Sequence, residues 1–149
     1  ILVPANVYAP YNAQATLHTG PALFATLLPV SVPSRVTDIW RGFFAQCLFK
    51  DVDLSLVFAP PRIPQYRNVH NILGDMESEK DLYYKSNKLV EYLSEGFRSD
   101  EPSLPARMEE LWISLYERGY IEETDVELVQ LWLGTLVQIG YPFRSPKVQ

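Results

Sequence analysis

The chain has 149 residues, a formal net charge of −5 and an apolar fraction of 47 per cent, which fit one globular domain with a substantial core. It contains no basic block, so electrostatic capture of nucleic acid or of an anionic membrane is not expected. The longest nearly uncharged run, residues 21–35, is interrupted by two prolines and is too short to span a bilayer, so no transmembrane segment is predicted.

The first thirty residues are predicted to be largely extended. Residues 1–8 form an apolar segment, and residues 21–30 fit either a short buried helix or a pair of strands. Between them, polar and small apolar side chains alternate strictly from Tyr11 to His18, which predicts a strand. Its polar face is suited to a hydroxyl-rich ligand, although a solvated strand face alternates in the same way. The four candidate ligand-binding residues on this face are Asn12, Gln14, Thr16 and His18.

The next segment places a carboxylate, Asp38, between Arg35 and Arg41 at the opening of an apolar helix. If Thr37 or Asp38 is the N-cap, the carboxylate lies at the positive end of the helix dipole. Gly42 lies one turn further along the same face and leaves space beside it. Two interpretations stay open: Asp38 is a functional group at a pocket, or it only caps the helix and pairs locally with an arginine.

The helix is predicted to run from about Thr37 to Lys50, and Cys47 on its apolar face is expected to be a buried hydrophobe. A buried strand, Leu54 to Phe58, follows it. The Asp51-Val52-Asp53 run between the two elements is interpreted as a solvated loop. A long loop continues to Gly74, and in the absence of ligand spacing its His70 is expected to be a free surface histidine.

The second half of the chain is predicted to be helical. One helix begins at Ser78 and ends near Gly96, and another extends up to Gly119. A last helix opens with Thr124 and Glu127 as a capping box and closes at Gly140. Because this helix is apolar almost all round, it is either central to the core or covered by another domain or subunit.

Three segments in combination resemble the STELLO-type glycosyltransferase-like family. They are Pro10 to His18, Leu27 to Val30 and Arg35 to Gln46, and the likeness is good over residues 9–60 and loose to about residue 95. More remotely, Asp38, Trp40, Gly42 and the strand beyond look like the second half of the plant reversibly glycosylated polypeptides, which are nucleotide-sugar enzymes of the GT-A class.

The resemblance implies an α/β fold in which this chain is the C-terminal, acceptor-side portion of a GT-A-like domain. A mixed strand and helix region, 1–76, would precede a helical region, 77–149, either as one domain or as part of a larger one. The donor half would lie upstream. A divalent metal, Mn²⁺ or Mg²⁺, would be held mainly by residues outside this chain, and none of its own residues is expected to be a metal ligand.

The activity implied by the resemblance is transfer of a hexose or pentose from a nucleotide-sugar donor to a glycan acceptor, in a membrane-associated Golgi setting that makes polysaccharide. By analogy, Asp38 would be a general base or acceptor anchor. Arg35 or Arg41 would contact the donor phosphates, and Trp40 would shape the sugar pocket beside Gly42.

One departure from the remoter family leaves an alternative open. Where the reversibly glycosylated polypeptides carry a histidine after the strand, this chain has Ala59-Pro60-Pro61-Arg62. The alternative is a catalytically silent interaction module that docks through its helical half, with a protein partner or upstream domain on residues 124–140. The sequence specifies neither the donor sugar, nor the acceptor, nor the stereochemical outcome.

Overall fold

A computed structural model describes residues 1–5, 7–66, 69 and 71–147. Helical segments dominate this part of the chain. Two short 3₁₀ segments cover Gly20–Thr26 and Lys50–Val52, and a π-helical turn, Tyr92–Gly96, continues the third helix. The α-helices are α1 (Ser34–Phe49), α2 (Ile72–Ser78), α3 (Lys80–Glu91), α4 (Leu104–Glu117) and α5 (Glu123–Gln138).

Helix α1 is the centre of the core. Eleven of its sixteen residues are buried, and it packs against the first 3₁₀ segment, α3 with its π-helical turn, and α4. The Phe44 ring meets Trp112 of α4 edge-on at 5.7 Å between centroids. The Cys47 side chain is buried in this core, as the sequence predicted.

Helices α4 and α5 form a hairpin whose first helix ends in a Schellman motif. The Tyr120 N–H donates to the Leu115 carbonyl (3.0 Å), and the Gly119 N–H donates to the Tyr116 carbonyl (2.9 Å). Gly119 has a φ of +70°, a backbone conformation that residues with a Cβ adopt only at a cost in free energy. The predicted helix ending near Gly119 and the helical character of the second half are confirmed.

The segment that precedes α1 is joined to α5 by partly buried polar contacts. The Asp125 carboxylate in α5 is fully buried and accepts from the Val30 N–H (2.6 Å), the Ser31 N–H (3.3 Å) and the Ser31 hydroxyl. The Trp132 Nε1–H donates to the Phe24 carbonyl at 2.8 Å. The 3₁₀ segment and the connection to α1 are therefore fixed against α5.

A buried ion pair joins the end of α1 to α4. The Asp51 Oδ2 lies 3.1 Å from the Arg107 Nη1, and both side chains are almost completely buried. The interpretation of the 51–53 run as a solvated loop is thus wrong for Asp51. It holds for Asp53, which is exposed and pairs with Lys147. The two carboxylates have different surroundings because Asp51 lies in the 3₁₀ segment, whereas Asp53 ends it in a left-handed backbone conformation.

The predicted α/β fold with a mixed front half is wrong. The described residues contain no β-sheet, and their extended pairing is one antiparallel bridge between Leu2 and Val57, which is all that the strand expected at 54–58 contributes. Residues 11–18 form bends and a turn, with Ala15 at a φ of +51°. The Thr16 hydroxyl donates to the Asn12 carbonyl (2.7 Å), so polar groups expected on one strand face close a local turn instead.

Helix starts also differ from the prediction. Helix α1 begins at Ser34 after Pro33, so Asp38 lies within the helix and does not cap it. Helix α2 shortens the predicted long loop, and Asn71 caps it through an Oδ1 bond from the Gly74 N–H (3.3 Å). Helix α5 starts without a side-chain cap, so the expected capping box does not form. His70 lies outside the described residues.

The alternative helix-or-strand interpretation of residues 21–30 resolves to the 3₁₀ helix with a buried Phe24. In the described ranges, no helix has both the length and the apolar character needed to cross a membrane.

Asp125→Ala should lower the free energy of unfolding by about 3 kcal/mol, because three donors of residues 30–31 would lose the buried carboxylate that accepts from them. The measurement is urea denaturation followed by circular dichroism. Glu127→Ala, on the exposed face of the same helix, is the control and should change stability by less than about 0.5 kcal/mol. Equal effects of the two substitutions would contradict the anchoring role of Asp125.

Candidate functional site

Residues 9–18, called here the 9–18 segment, lie against one face of α1. Asp38, Gly42 and Gln46 are spaced four apart and therefore share this face. The Gln46 amide binds the Ala9 backbone in both directions: the Ala9 N–H donates to Oε1 (3.0 Å), and Nε2 donates to the Ala9 carbonyl (2.8 Å). Gln46 thus fixes the start of the segment on the helix.

Gly42 lets the segment approach the helix closely. A Cβ at this position would lie 3.1 Å from the Tyr11 Cε1 and 3.2 Å from the Tyr11 carbonyl oxygen. The space that the sequence suggested beside Gly42 is therefore filled by Tyr11, whose side chain is buried.

Asp38 holds the middle of the segment and keeps one oxygen available. Its Oδ2 accepts from the Ala13 N–H at 2.8 Å. Within the part of the chain that the structure describes, no donor binds Oδ1, and the side chain is partly exposed. The carboxylate therefore has both a structural contact and an oxygen that a ligand can use.

Arg41 is a buried cation without a described anionic partner. The residue is 3 per cent exposed and forms no ion pair with any carboxylate among the described residues. Its Nη1 donates to the Tyr11 hydroxyl (3.2 Å) and contacts the His18 Nε2 (2.7 Å), while its Nε is buried without a hydrogen bond. The guanidinium carbon lies 5.0 Å from the centre of the Tyr11 ring.

The contact with Arg41 determines the state of His18. A guanidinium only donates, so the His18 Nε2 accepts, and the ring is neutral with its proton on Nδ1. Burial lowers the pKa of His18 below its usual value, and the charge of Arg41 lowers it further. Burial raises the pKa of Tyr11, which keeps the phenol protonated, while Arg41 opposes this shift.

Arg35 and Trp40 point away from this cluster. The Arg35 guanidinium binds Asp75 and also Glu79, at 3.2 Å, and so links α1 to α2 and the start of α3. Trp40 is fully buried, donates from Nε1 to the Ser86 hydroxyl (3.0 Å) and meets the Tyr120 ring edge-on. Neither side chain faces the surface at which Asp38 lies, so the cluster does not include them.

The remaining polar residues of the 9–18 segment lie at its outer side. Asn12 and Gln14 are exposed, and the Gln14 Oε1 accepts from the Gln65 Nε2 at 3.4 Å. The Thr16 hydroxyl is turned back into the segment. The structure therefore brings Asp38, Arg41, Gly42 and His18 together, and the binding roles of all these residues stay predictions.

Sequence reasoning missed two members of the cluster, Tyr11 and Gln46. The signal for Gln46 was present, because it follows Asp38 and Gly42 at the same four-residue spacing. Tyr11 carried no comparable signal, since its burial depends on a glycine thirty-one positions later.

The described residues do not form a metal site. No three side chains of the His, Cys, Asp or Glu type come together in ranges 1–5, 7–66, 69 and 71–147. Asp51 is bound to Arg107, and Asp53 is bound to Lys147. The described residues therefore do not fit the divalent metal, which the resemblance places mainly on residues outside this chain, and that placement stays a prediction.

The class of protein is defined by comparison with known families. Residues 35–148 match the family of STELLO glycosyltransferases, and the chain belongs to that family. The likeness recognised in the sequence is thereby confirmed. The probable glycosyltransferases STELLO2 and STELLO1 of Arabidopsis thaliana are each 28 per cent identical to this chain over 141 residues.

These matches cover 95 per cent of this chain but only 18 per cent of each Arabidopsis protein, so the chain spans about a fifth of their length. No solved structure matches the chain.

The pKa of His18 should lie below 6.5, and stability should depend on it. Because the unfolded state binds the proton more readily, the contribution is fully present above pH 6.5 and is lost as the pH falls through the unfolded and then the folded pKa. Nuclear magnetic resonance titration of the ring measures the pKa. His18→Gln should remove this part of the pH dependence, and a wild-type pKa above 6.5 would contradict the assigned Arg41 contact.

Glycine-to-alanine substitutions at two positions should have opposite effects. Gly134→Ala in α5 meets nothing within 4 Å and should raise the free energy of unfolding by about 0.5–1 kcal/mol. Gly42→Ala should lower it, because pressing on Tyr11 costs about 1–3 kcal/mol. Urea denaturation measures both, and equal stabilisation would show that the 9–18 segment is not packed tightly on α1.

Proposed function

We propose that this chain forms part of the substrate-binding region of an enzyme that transfers a hexose or pentose from a nucleotide sugar to a glycan acceptor. Membership of the STELLO glycosyltransferase family supports the reaction class. The observation that carries the proposal is the cluster in which Asp38 and the buried Arg41 meet the 9–18 segment. The Golgi lumen and polysaccharide synthesis, implied by the resemblance, belong to the same proposal.

Arg41 is the group that we assign to the donor. A guanidinium that is buried without a carboxylate is costly, and it is best compensated by an anion with several acceptor oxygens. A diphosphate is such an anion, and guanidinium groups bind phosphate through two parallel hydrogen bonds. A phosphate oxygen would replace the His18 Nε2 as the acceptor for Nη1, which requires a shift of the 9–18 segment.

Asp38 is the group that we assign to the acceptor. In the transfer, the acceptor hydroxyl oxygen bonds to the anomeric carbon while the bond from that carbon to the phosphate oxygen breaks. The nucleoside diphosphate leaves with the bonding electrons, and the hydroxyl proton passes to the Asp38 carboxylate through Oδ1. Such proton transfer contributes about 10²–10⁴-fold to the rate, and positioning of the hydroxyl adds to it.

The divalent metal remains a proposal for a region outside this chain. When bound, such a metal neutralises the charge that develops on the leaving diphosphate. Within this chain, the charge of Arg41 would act on the same group.

A second candidate function is a catalytically silent interaction module. Large apolar side chains are exposed on the outer side of α5, where Leu131 is 70 per cent exposed and Val137 and Ile139 are also open to solvent. Helix α2 buries none of its residues, and Ile72, Leu73 and Met76 are exposed. Surfaces of this kind fit a protein partner or an adjoining domain.

Asp38→Asn should reduce sugar transfer by about 10²–10⁴-fold without loss of folding, because asparagine still accepts the Ala13 N–H but cannot take up a proton. Release of nucleoside diphosphate is measured on the natural protein at its full length with a panel of uridine- and guanosine-diphosphate sugars. Asp100→Asn, an exposed carboxylate outside the cluster, is the matched control and should keep full activity.

Arg41→Met separates donor binding from catalysis. It should weaken binding of the donor by at least tenfold, whereas Asp38→Asn should leave donor binding nearly unchanged. Unaltered turnover in the Asp38 variant would favour the interaction module. In that case, Leu131→Glu should abolish capture of a partner while the chain stays folded.

A further inference from the structure

An open groove lies between the end of α3 and the turn that joins α4 to α5, on residues to which the proposed transfer assigns no role. Its volume is about 480 Å³, within the range of small-molecule sites. Two aromatic and four charged side chains line it together with Gly96: Tyr92, Tyr120, Lys88, Glu91, Glu95 and Arg118.

Backbone and ring contacts hold both walls of the groove in place. The Phe97 N–H donates to the Tyr92 carbonyl (2.7 Å) and closes the π-helical turn, an element often found at functional sites. A Cβ at Gly96 would lie 2.7 Å from the Tyr92 Cδ2, so the glycine lets the tyrosine ring lie against the backbone. On the opposite wall, the Schellman motif fixes Tyr120, whose ring also packs on the buried Trp40.

Arg118 is placed over this frame. Its guanidinium carbon lies 3.8 Å from the centre of the Tyr92 ring, a close cation–π contact. This contact restrains the guanidinium at the groove, although the side chain is exposed at the surface. Its N–H groups are preorganised for a ligand, which reduces the entropy lost on binding.

The charges of the groove are balanced but not paired. Lys88 and Arg118 carry two positive charges, and Glu91 and Glu95 carry two negative ones. In the described part of the chain none of the four forms an ion pair. A lining with no net charge favours neither an anion nor a cation. It offers donors and acceptors side by side, which suits a ligand whose groups both donate and accept, and hydroxyl groups do so.

We propose that this groove is a binding site for a neutral carbohydrate chain. Sugar hydroxyls would accept from Lys88 and Arg118 and donate to the carboxylates of Glu91 and Glu95. The Tyr120 phenol, which is partly buried, would add one hydrogen bond, as a donor or as an acceptor. The site is open and shallow, so affinity in the millimolar range is expected.

The test is a nuclear magnetic resonance titration of the isotope-labelled chain with cellohexaose, maltohexaose and xylohexaose up to about 10 mM, which covers a Kd of about 1 mM. Hexagalacturonate, an anionic oligosaccharide, is titrated in parallel. At least one neutral oligosaccharide should shift the amide signals of residues 91–96 and 118–120. Arg118→Met should weaken this binding at least tenfold, whereas Arg62→Met, which removes an exposed arginine outside the groove, should leave it unchanged.

Four outcomes would overturn the proposal: no response to any neutral oligosaccharide, shifts that map outside the groove, a response to hexagalacturonate alone, or undiminished binding by Arg118→Met. A second variant, Gly96→Ala, should also weaken binding because it displaces the Tyr92 ring. The result does not depend on Asp38 or Arg41, so loss of carbohydrate binding and loss of sugar transfer are measured separately.

Discussion

The structure depends on the burial of α1 on nearly all sides. A helix with eleven buried residues out of sixteen needs cover from several directions, and the described chain supplies it by wrapping the first 3₁₀ segment, α3 and α4 around it. The burial is not purely apolar, because the face towards the N-terminal segment contains Arg41 and Gln46. Their polar groups require partners, and the 9–18 segment provides most of these.

This constraint explains why the candidate site lies where it does. The helix presents Asp38 at its partly exposed beginning, and the buried guanidinium follows one turn later. The 9–18 segment forms hydrogen bonds with polar side chains of the helix, covers Arg41 and positions the neutral His18 ring beside it. A site assembled in this way links ligand access to the packing of the N-terminal segment.

Parts of this arrangement could be predicted from the sequence, and parts could not. The burial of Cys47 and the helical second half follow from periodicity, whereas the roles predicted for the Asp38 to Gly42 stretch stay predictions. The strand prediction at 11–18 failed because alternation shows only that polar and apolar residues follow one another in turn. In the structure, the Thr16 hydroxyl closes a local turn and the His18 ring contacts Arg41 of α1. A strand also needs a second strand to pair with, and the sequence of one short segment cannot show whether such a strand exists.

Long-range polar contacts were beyond sequence reasoning for a different reason. The sequence around Asp51 is typical of a solvated loop. Asp51 belongs to the core only because the fold places Arg107, fifty-six residues later, beside it. Asp125 likewise looks like an ordinary acidic residue in the first turn of a helix. Whether such a group is buried depends on the whole fold, which no local pattern specifies.

The contacts of Asp125 bear on where the folding unit begins. The family match starts at residue 35, yet the groups that Asp125 binds belong to residues 30 and 31, and Gln46 binds Ala9. A fragment that begins at residue 35 would lack the hydrogen-bond partners of the Asp125 carboxylate, the Arg41 guanidinium and the Gln46 amide. The cooperatively folding unit therefore includes residues well before position 35, where the family match begins.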